Sequence, residues 1–222
     1  LGLLGPRRVL AGDAAQPLPP PYQLVDNEHS LLDLADIVFI DPVSTGYSRP
    51  APGEEAKQFH GLEPDIESVG EFIRLYVTRY KRWSSPKFLI GESYGTTRAA
   101  GLAGHLQSKH GMYLNGLLLI SSVLNFQTLE FELGNDLPYV LFLPTYTATA
   151  WHHHRLDAEL QADLHKTLQE AAEFAAGDYA HALFLGSALA PEHHAAAVRT
   201  LARYTGLSEA YVEASDLRIE IF

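Results

Sequence analysis

The chain has 222 residues, 46% of them hydrophobic and 19% charged, with a formal net charge of −11. Those proportions are those of a globular protein with one sizeable core and room for a subdomain. The acidic balance leaves no basic stripe to neutralise phosphates, which argues against a nucleic-acid partner. The absence of cysteine excludes disulfide scaffolds, thiol nucleophiles and thiolate metal sites. No apolar run approaches the roughly 20 residues needed to cross a bilayer.

In chain order, residues 1–10 read as a Gly/Pro-bearing connection leading into a short strand, and Gln16–Tyr22, with four prolines, as a loop. Asn27–Leu34 suits a helical turn. Ile37-Val38-Phe39-Ile40, ended by Asp41-Pro42, has the pattern of a strand buried on both faces. Val43–Gly53 is a Gly/Pro/Ser loop. Glu63–Trp83 predicts a helix with Ile66, Val69, Phe72, Ile73, Tyr76, Val77 and Tyr80 as its apolar stripe. Pro64 and Asp65 suit its first turn and Lys81 and Arg82 its last. Lys87–Ile90 predicts a strand, Thr96–Gln107 a helix ended by Gly111, and Leu114–Ile120 another buried strand.

Beyond Ser121 the β-α alternation stops. Phe126–Ala150 is apolar and aromatic without clean periodicity. Leu156–Ala176 and Pro191–Tyr204 predict alanine-rich helices, and Glu209–Phe222 a further helix or strand. The expected organisation is an α/β core over 1–122, with a partial parallel, doubly wound sheet, followed by a mostly helical cap insertion over 123–222.

Gly91-Glu92-Ser93-Tyr94-Gly95 sits between the predicted strand and helix. Strand, Gly-x-Ser-x-Gly, helix is the pattern of a nucleophile elbow. A serine at the apex of so sharp a turn is forced into strained dihedrals that lift its hydroxyl clear of the backbone. Two glycines let strand and helix pass closely. The helix directs its positive end at the reaction centre, and the Tyr94 backbone N–H becomes one donor to a tetrahedral oxyanion.

These residues resemble the serine carboxypeptidase family of α/β-hydrolases. Asp41-Pro42-Val43-Ser44-Thr45-Gly46-Tyr47-Ser48 resembles the family's Asp-x-Pro-x-Gly-x-Gly-(Phe/Tyr)-Ser loop, and Gly91–Gly95 matches its nucleophile motif. The Gly5-Pro6 turn is similar to the segment after the family's Gly-rich oxyanion loop, and Asn135–Tyr139 looks like bacterial members. The resemblance implies an α/β-hydrolase fold and a peptidase that acts on peptides with a free C-terminus, without cofactor or metal. Ser93 would be the nucleophile and Glu92 would help bind the terminal carboxylate, sharing a proton with a second glutamate at acidic pH. Leu3 stands where that second glutamate is expected. Gly46 and Tyr47 would line the leaving-group side, and Ser44 stands at a family glycine.

Alternatives remain for each: Glu92 as a hydrogen-bonded buried acid, Tyr47 as a packed loop aromatic. By resemblance the catalytic aspartate and histidine follow the cap and are not in this chain, and the second oxyanion donor precedes Leu1. The sequence is therefore expected to be an incomplete enzyme. Asp178 with His193 or His194 has the right order but falls in helix-like sequence. His152-His153-His154 reads as a surface cluster, because consecutive helical residues diverge. An esterase or acyltransferase on the same scaffold, and a non-catalytic binding module, are the competing functions.

Overall fold

A computed structural model describes residues 5–12 and 18–220. The chain is a mixed α/β protein that divides into two compact units, Leu1–Leu124 and Asn125–Phe222.

The first unit opens with an antiparallel pair, β1 (Arg7–Val9) and β2 (Leu24–Asp26). Asn27 closes the pair: its N–H donates to Pro6 O at 2.9 Å and its Nδ2 to Gly5 O at 2.8 Å. Arg8 grips Glu28 through two guanidinium nitrogens, at 3.2 and 2.7 Å, and this partner holds the Glu28 carboxyl down at about 2.

Helix α1 (Leu62–Arg79) is shorter at its C-terminus than the sequence suggests. Lys81 takes φ 56°, Arg82 N–H donates to Val77 O and Lys81 N–H to Thr78 O. This is a Schellman termination, so Lys81 and Arg82 lie past the helix rather than in its last turn. The apolar stripe is wider than the buried contact. Val69 and Val77 are buried with Leu102, Leu106 and Met112, and Ile66 and Ile73 pack against them. Phe72 and Tyr80 are exposed and belong to a chain of ring contacts through Tyr76.

Strand β3 (Phe88–Glu92), helix α2 (Tyr94–His110) and strand β4 (Gly116–Ile120) form a parallel crossover in which Phe88 pairs with Gly116 and Glu92 with Ile120. Gly111, at φ 61°, ends α2 as the sequence suggests. Helices α1 and α2 approach closely: a Cβ on Gly101 would meet Ile66 Cδ1 at 2.2 Å, and one on Gly70 would meet the His105 ring at 2.7 Å.

Two strand expectations are corrected. Ile37–Ile40 is not a strand; no neighbour pairs with it among the described residues, so it has no ladder, although Ile40 packs on the α1–α2 core. The doubly wound sheet is thus reduced to the β3–β4 pair. β4 is not buried either: Leu117, Leu118, Leu119 and Ile120 remain at 36–44% exposure, because α2 packs on a two-stranded sheet with no further layer among the described residues.

The second unit is helical. α3 (Leu137–His152) packs against α5 (Leu164–Phe174) and α7 (Pro191–Thr205), with α4 (Ala158–Gln161), α6 (Ala180–Leu185) and α8 (Glu209–Ala214) around them. The helix expected over 156–176 is broken. Asp157 accepts from Leu160 N at 3.0 Å and Asp163 from Lys166 N at 3.1 Å, so each aspartate caps a new helix. A π-helical turn, Ala175–Tyr179, then joins α5 to α6 and seats Tyr179, whose hydroxyl donates to Leu217 O at 2.7 Å. Arg218 binds both Asp136 carboxylate oxygens, at 2.8 and 3.0 Å, and Tyr139 donates to Glu220 at 2.9 Å. These contacts fasten the segment after α8 to the start of α3. Burial, reinforced by the Glu220 carboxylate, pushes the Tyr139 hydroxyl up to about 12. Among the described residues no helix is long and apolar enough to cross a membrane.

Candidate functional site

The turn between β3 and α2 carries a serine with a strained backbone. Ser93 has φ 53° and ψ −124°, outside the regions open to residues with a Cβ. Its N–H donates to Ile120 O at 3.0 Å, which ties the turn to the carboxyl end of β4. The residue is exposed, and its hydroxyl has no hydrogen-bond partner among the described residues. A strained backbone and an exposed serine at the carboxyl end of a parallel strand are what the Gly-x-Ser-x-Gly pattern predicts for this turn.

The flanking glycines do different work. A Cβ on Gly91 would lie 2.1 Å from Gly95 O and 2.8 Å from Thr96 N, so the return of the chain over β3 requires glycine there. A Cβ on Gly95 would meet nothing within 4 Å among the described residues and Gly95 has no positive φ, so the expectation that both glycines permit a close approach holds there for Gly91 alone.

Tyr94 is the first residue of α2, where backbone amides point out of the helix end and the macrodipole is positive. Its ring lies 5.2 Å from the Arg98 guanidinium carbon one turn on. Arg98 Nε in turn donates to Asp65 Oδ2 at 2.7 Å, in the first turn of α1. Both side chains of this ion pair are largely buried, at 22% and 11% exposure. The pair was not anticipated from sequence; the signal was a charged residue four positions after Tyr94 on a face otherwise directed at α1.

Glu92, the last residue of β3, is exposed, which overturns its reading as a buried acid. Its expected counterpart position, Leu3, lies outside the described residues. The 41–48 loop turns on Gly46, at φ 47°, where a Cβ would strike Asp41 Oδ2 at 2.0 Å. That carboxylate accepts from Tyr47 N at 3.1 Å and leaves the Tyr47 ring 99% exposed, so Tyr47 is not a packed aromatic. Ser44 adopts φ 73°, a conformation that favours glycine, and its Oγ lies 3.1 Å from His60 Nε2. No hydrogen bond among the described residues joins this loop or any histidine to Ser93.

The other histidines stand elsewhere. His194 is flanked by Glu213 at 3.5 Å and Asp216 at 3.7 Å rather than by Asp178, which is exposed on the π-helical turn. His152 ends α3, His153 caps it and His154 turns away at φ 53°. Among the described residues no three histidine or acidic side chains gather as a metal site. A shallow cavity of about 300 Å³, lined by Trp83, Ser85, Lys87, Tyr113 and Asn115, lies at the amino ends of β3 and β4, the opposite end from Ser93.

Compared with protein-family models, with characterised proteins and with solved structures, the chain matches none.

Proposed function

We propose that Ser93 is the nucleophile of a serine-type carboxypeptidase, an α/β-hydrolase that releases C-terminal residues from peptides through an acyl-enzyme. The observation that carries the reading is the backbone of Ser93, held at φ 53° and ψ −124° between a parallel strand and a helix N-terminus. Strain of this kind costs about 1–3 kcal/mol and persists where surrounding structure imposes it for a purpose. In this reading β3–α2–β4 is the nucleophile-bearing crossover of the first unit, and 125–222 is a separate helical unit.

In the proposed reaction Ser93 Oγ attacks the scissile carbonyl carbon while a histidine takes the hydroxyl proton. The carbonyl oxygen becomes an oxyanion that accepts from the Tyr94 N–H. Collapse breaks the C–N bond, and the histidine returns the proton to the departing amine. Water then hydrolyses the ester to Ser93. The resemblance in the 41–48 loop and the elbow motif supports a substrate with a free carboxyl terminus, with Glu92, Gly46 and Tyr47 as its contacts. In this reading a histidine, oriented by an aspartate, serves as the base.

The test is made on the full chain. A fluorophosphonate probe should label the wild type and not Ser93→Ala, and a blocked dipeptide with a free C-terminus should be cleaved faster than its C-terminal amide. Cleavage of a simple ester alone would replace the peptidase with an esterase or acyltransferase. Absent labelling, or labelling that survives Ser93→Ala, would leave a binding module.

A further inference from the structure

Thr96 is completely buried three residues after Ser93, and its hydroxyl is fully used. Thr96 Oγ1 donates to Ser93 O at 2.7 Å and accepts from Val123 N at 2.8 Å, while the Thr96 backbone N–H also donates to Ser93 O, at 2.9 Å. A hydroxyl has one hydrogen to give. Val123 O, the other acceptor within reach of Thr96 at 3.4 Å, already receives the Thr97 hydroxyl, so the shorter contact to Ser93 O governs.

The consequence lies in one peptide unit. The Ser93 carbonyl and the Tyr94 N–H are opposite ends of the same planar, trans amide. Two donors on the carbonyl fix the rotation of that plane and therefore fix where the Tyr94 N–H points. We propose that the Thr96 hydroxyl is the positioning group for the oxyanion donor, acting through the Ser93–Tyr94 peptide and braced by the chain leaving β4 at Val123. The inference rests on Ser93 being the nucleophile, and it adds a residue that touches neither substrate nor the reacting atoms.

Threonine suits the role because the position needs a donor, an acceptor and a methyl-sized filling at once. Valine keeps the volume and loses both hydrogen bonds. Serine keeps both hydrogen bonds and loses a methyl group. Loss of a whole oxyanion donor costs about 100- to 1,000-fold in rate, so a donor left in place but loosely aimed should cost about 10- to 100-fold.

The experiment measures saturation kinetics of fluorophosphonate labelling on the full chain, for wild type, Ser93→Ala, Thr96→Val, Thr96→Ser and Thr97→Val. Expected is a limiting rate about 10- to 100-fold lower for Thr96→Val at an unchanged half-saturating concentration. Thr96→Ser should stay within about threefold of wild type even if its melting temperature falls as far as that of Thr96→Val. Thr97→Val, which loses a contact to the same loop but none to Ser93, should also stay within about threefold. If Thr96→Val does not fold, Thr96→Cys, a weaker donor and acceptor of similar size, should show an intermediate loss. A wild-type limiting rate in Thr96→Val or Thr96→Cys, or an equal loss in Thr96→Ser, overturns the positioning role and leaves Ser93 untouched. A wild type that does not label, while Ser93→Ala behaves identically, removes the nucleophile and this inference with it.

Discussion

Replacing Ser93 by glycine should make the protein more stable while removing its proposed activity. The residue sits at φ 53° and ψ −124°, where a side chain with a Cβ is strained by about 1–3 kcal/mol. Glycine is free of that strain but loses about 0.5–1 kcal/mol more chain entropy on folding. Taking the middle of both ranges, the net expectation for Ser93→Gly is a gain of about 1 kcal/mol. Ser93→Ala keeps the Cβ, and the hydroxyl it deletes is exposed and without a partner among the described residues, so its stability should stay within about 0.5 kcal/mol of wild type. For a unit the size of Leu1–Leu124, 1 kcal/mol moves the melting point by about 3–5 °C, which puts Ser93→Gly about 3–5 °C above Ser93→Ala. Urea and thermal unfolding followed by far-UV circular dichroism, on both variants under one buffer, gives the difference directly. Both should fail to react with a fluorophosphonate. A Ser93→Gly protein no more stable than Ser93→Ala would show that the turn stores no strain and would remove the main physical support for the elbow.

The Asp65–Arg98 pair gives a second test. Arg98→Ala strands the Asp65 carboxylate, softened by its place in the first turn of α1, and should cost about 2–3 kcal/mol, with a coupling to Asp65→Ala of at least 1 kcal/mol in a double-mutant cycle. Additive losses in urea titrations would reduce the pair to a surface contact. The two motif glycines should separate: Gly91→Ala should cost about 3 kcal/mol or more by driving the Gly95 backbone away, whereas Gly95→Ala should be neutral or stabilising by up to about 1 kcal/mol. Equal effects on unfolding would contradict the packing at β3. In the second unit, Tyr139 and Tyr146 are both pushed up to about 12, chiefly by burial. A raised value favours the folded state fully below pH 10 and loses that contribution as pH climbs towards 12. The part of the tyrosinate absorbance that Tyr139→Phe and Tyr146→Phe remove should therefore appear together with loss of helical signal between pH 10 and 12, and its appearance near pH 10 in folded protein would refute the burial argument.

Much of the elbow was legible from local rules. An apolar run after a Ser-Ser-Pro break, glycine before the serine and a helix-forming stretch after it each have one physical solution at short range, and β3, α2 and the stop at Gly111 follow. Asp157 and Asp163 each open a new helix where the alanine-rich pattern predicts one continuous helix. Helix α3 escaped because even its exposed face carries apolar residues, Leu137 and Leu141, and Pro144 lies inside it, so no polar face sets a period.

What the amino-acid order determined by itself was the identity and spacing of the strand-to-helix turn: Gly91, Ser93 and the helix behind them are contiguous, so their relation is set by sterics within a few residues. What only the tertiary structure decided was everything that depends on a distant partner. Ile37–Ile40 has the pattern of a strand and no ladder partner among the described residues, since hydrogen bonds to a neighbour, not apolar character, make a strand. The aim of the Tyr94 amide depends on Val123 N bracing Thr96 from 27 residues away, and the seat of Arg98 on Asp65 from 33 residues away. Such contacts are absent from any local window, because the chain must first fold back before donor and acceptor can meet.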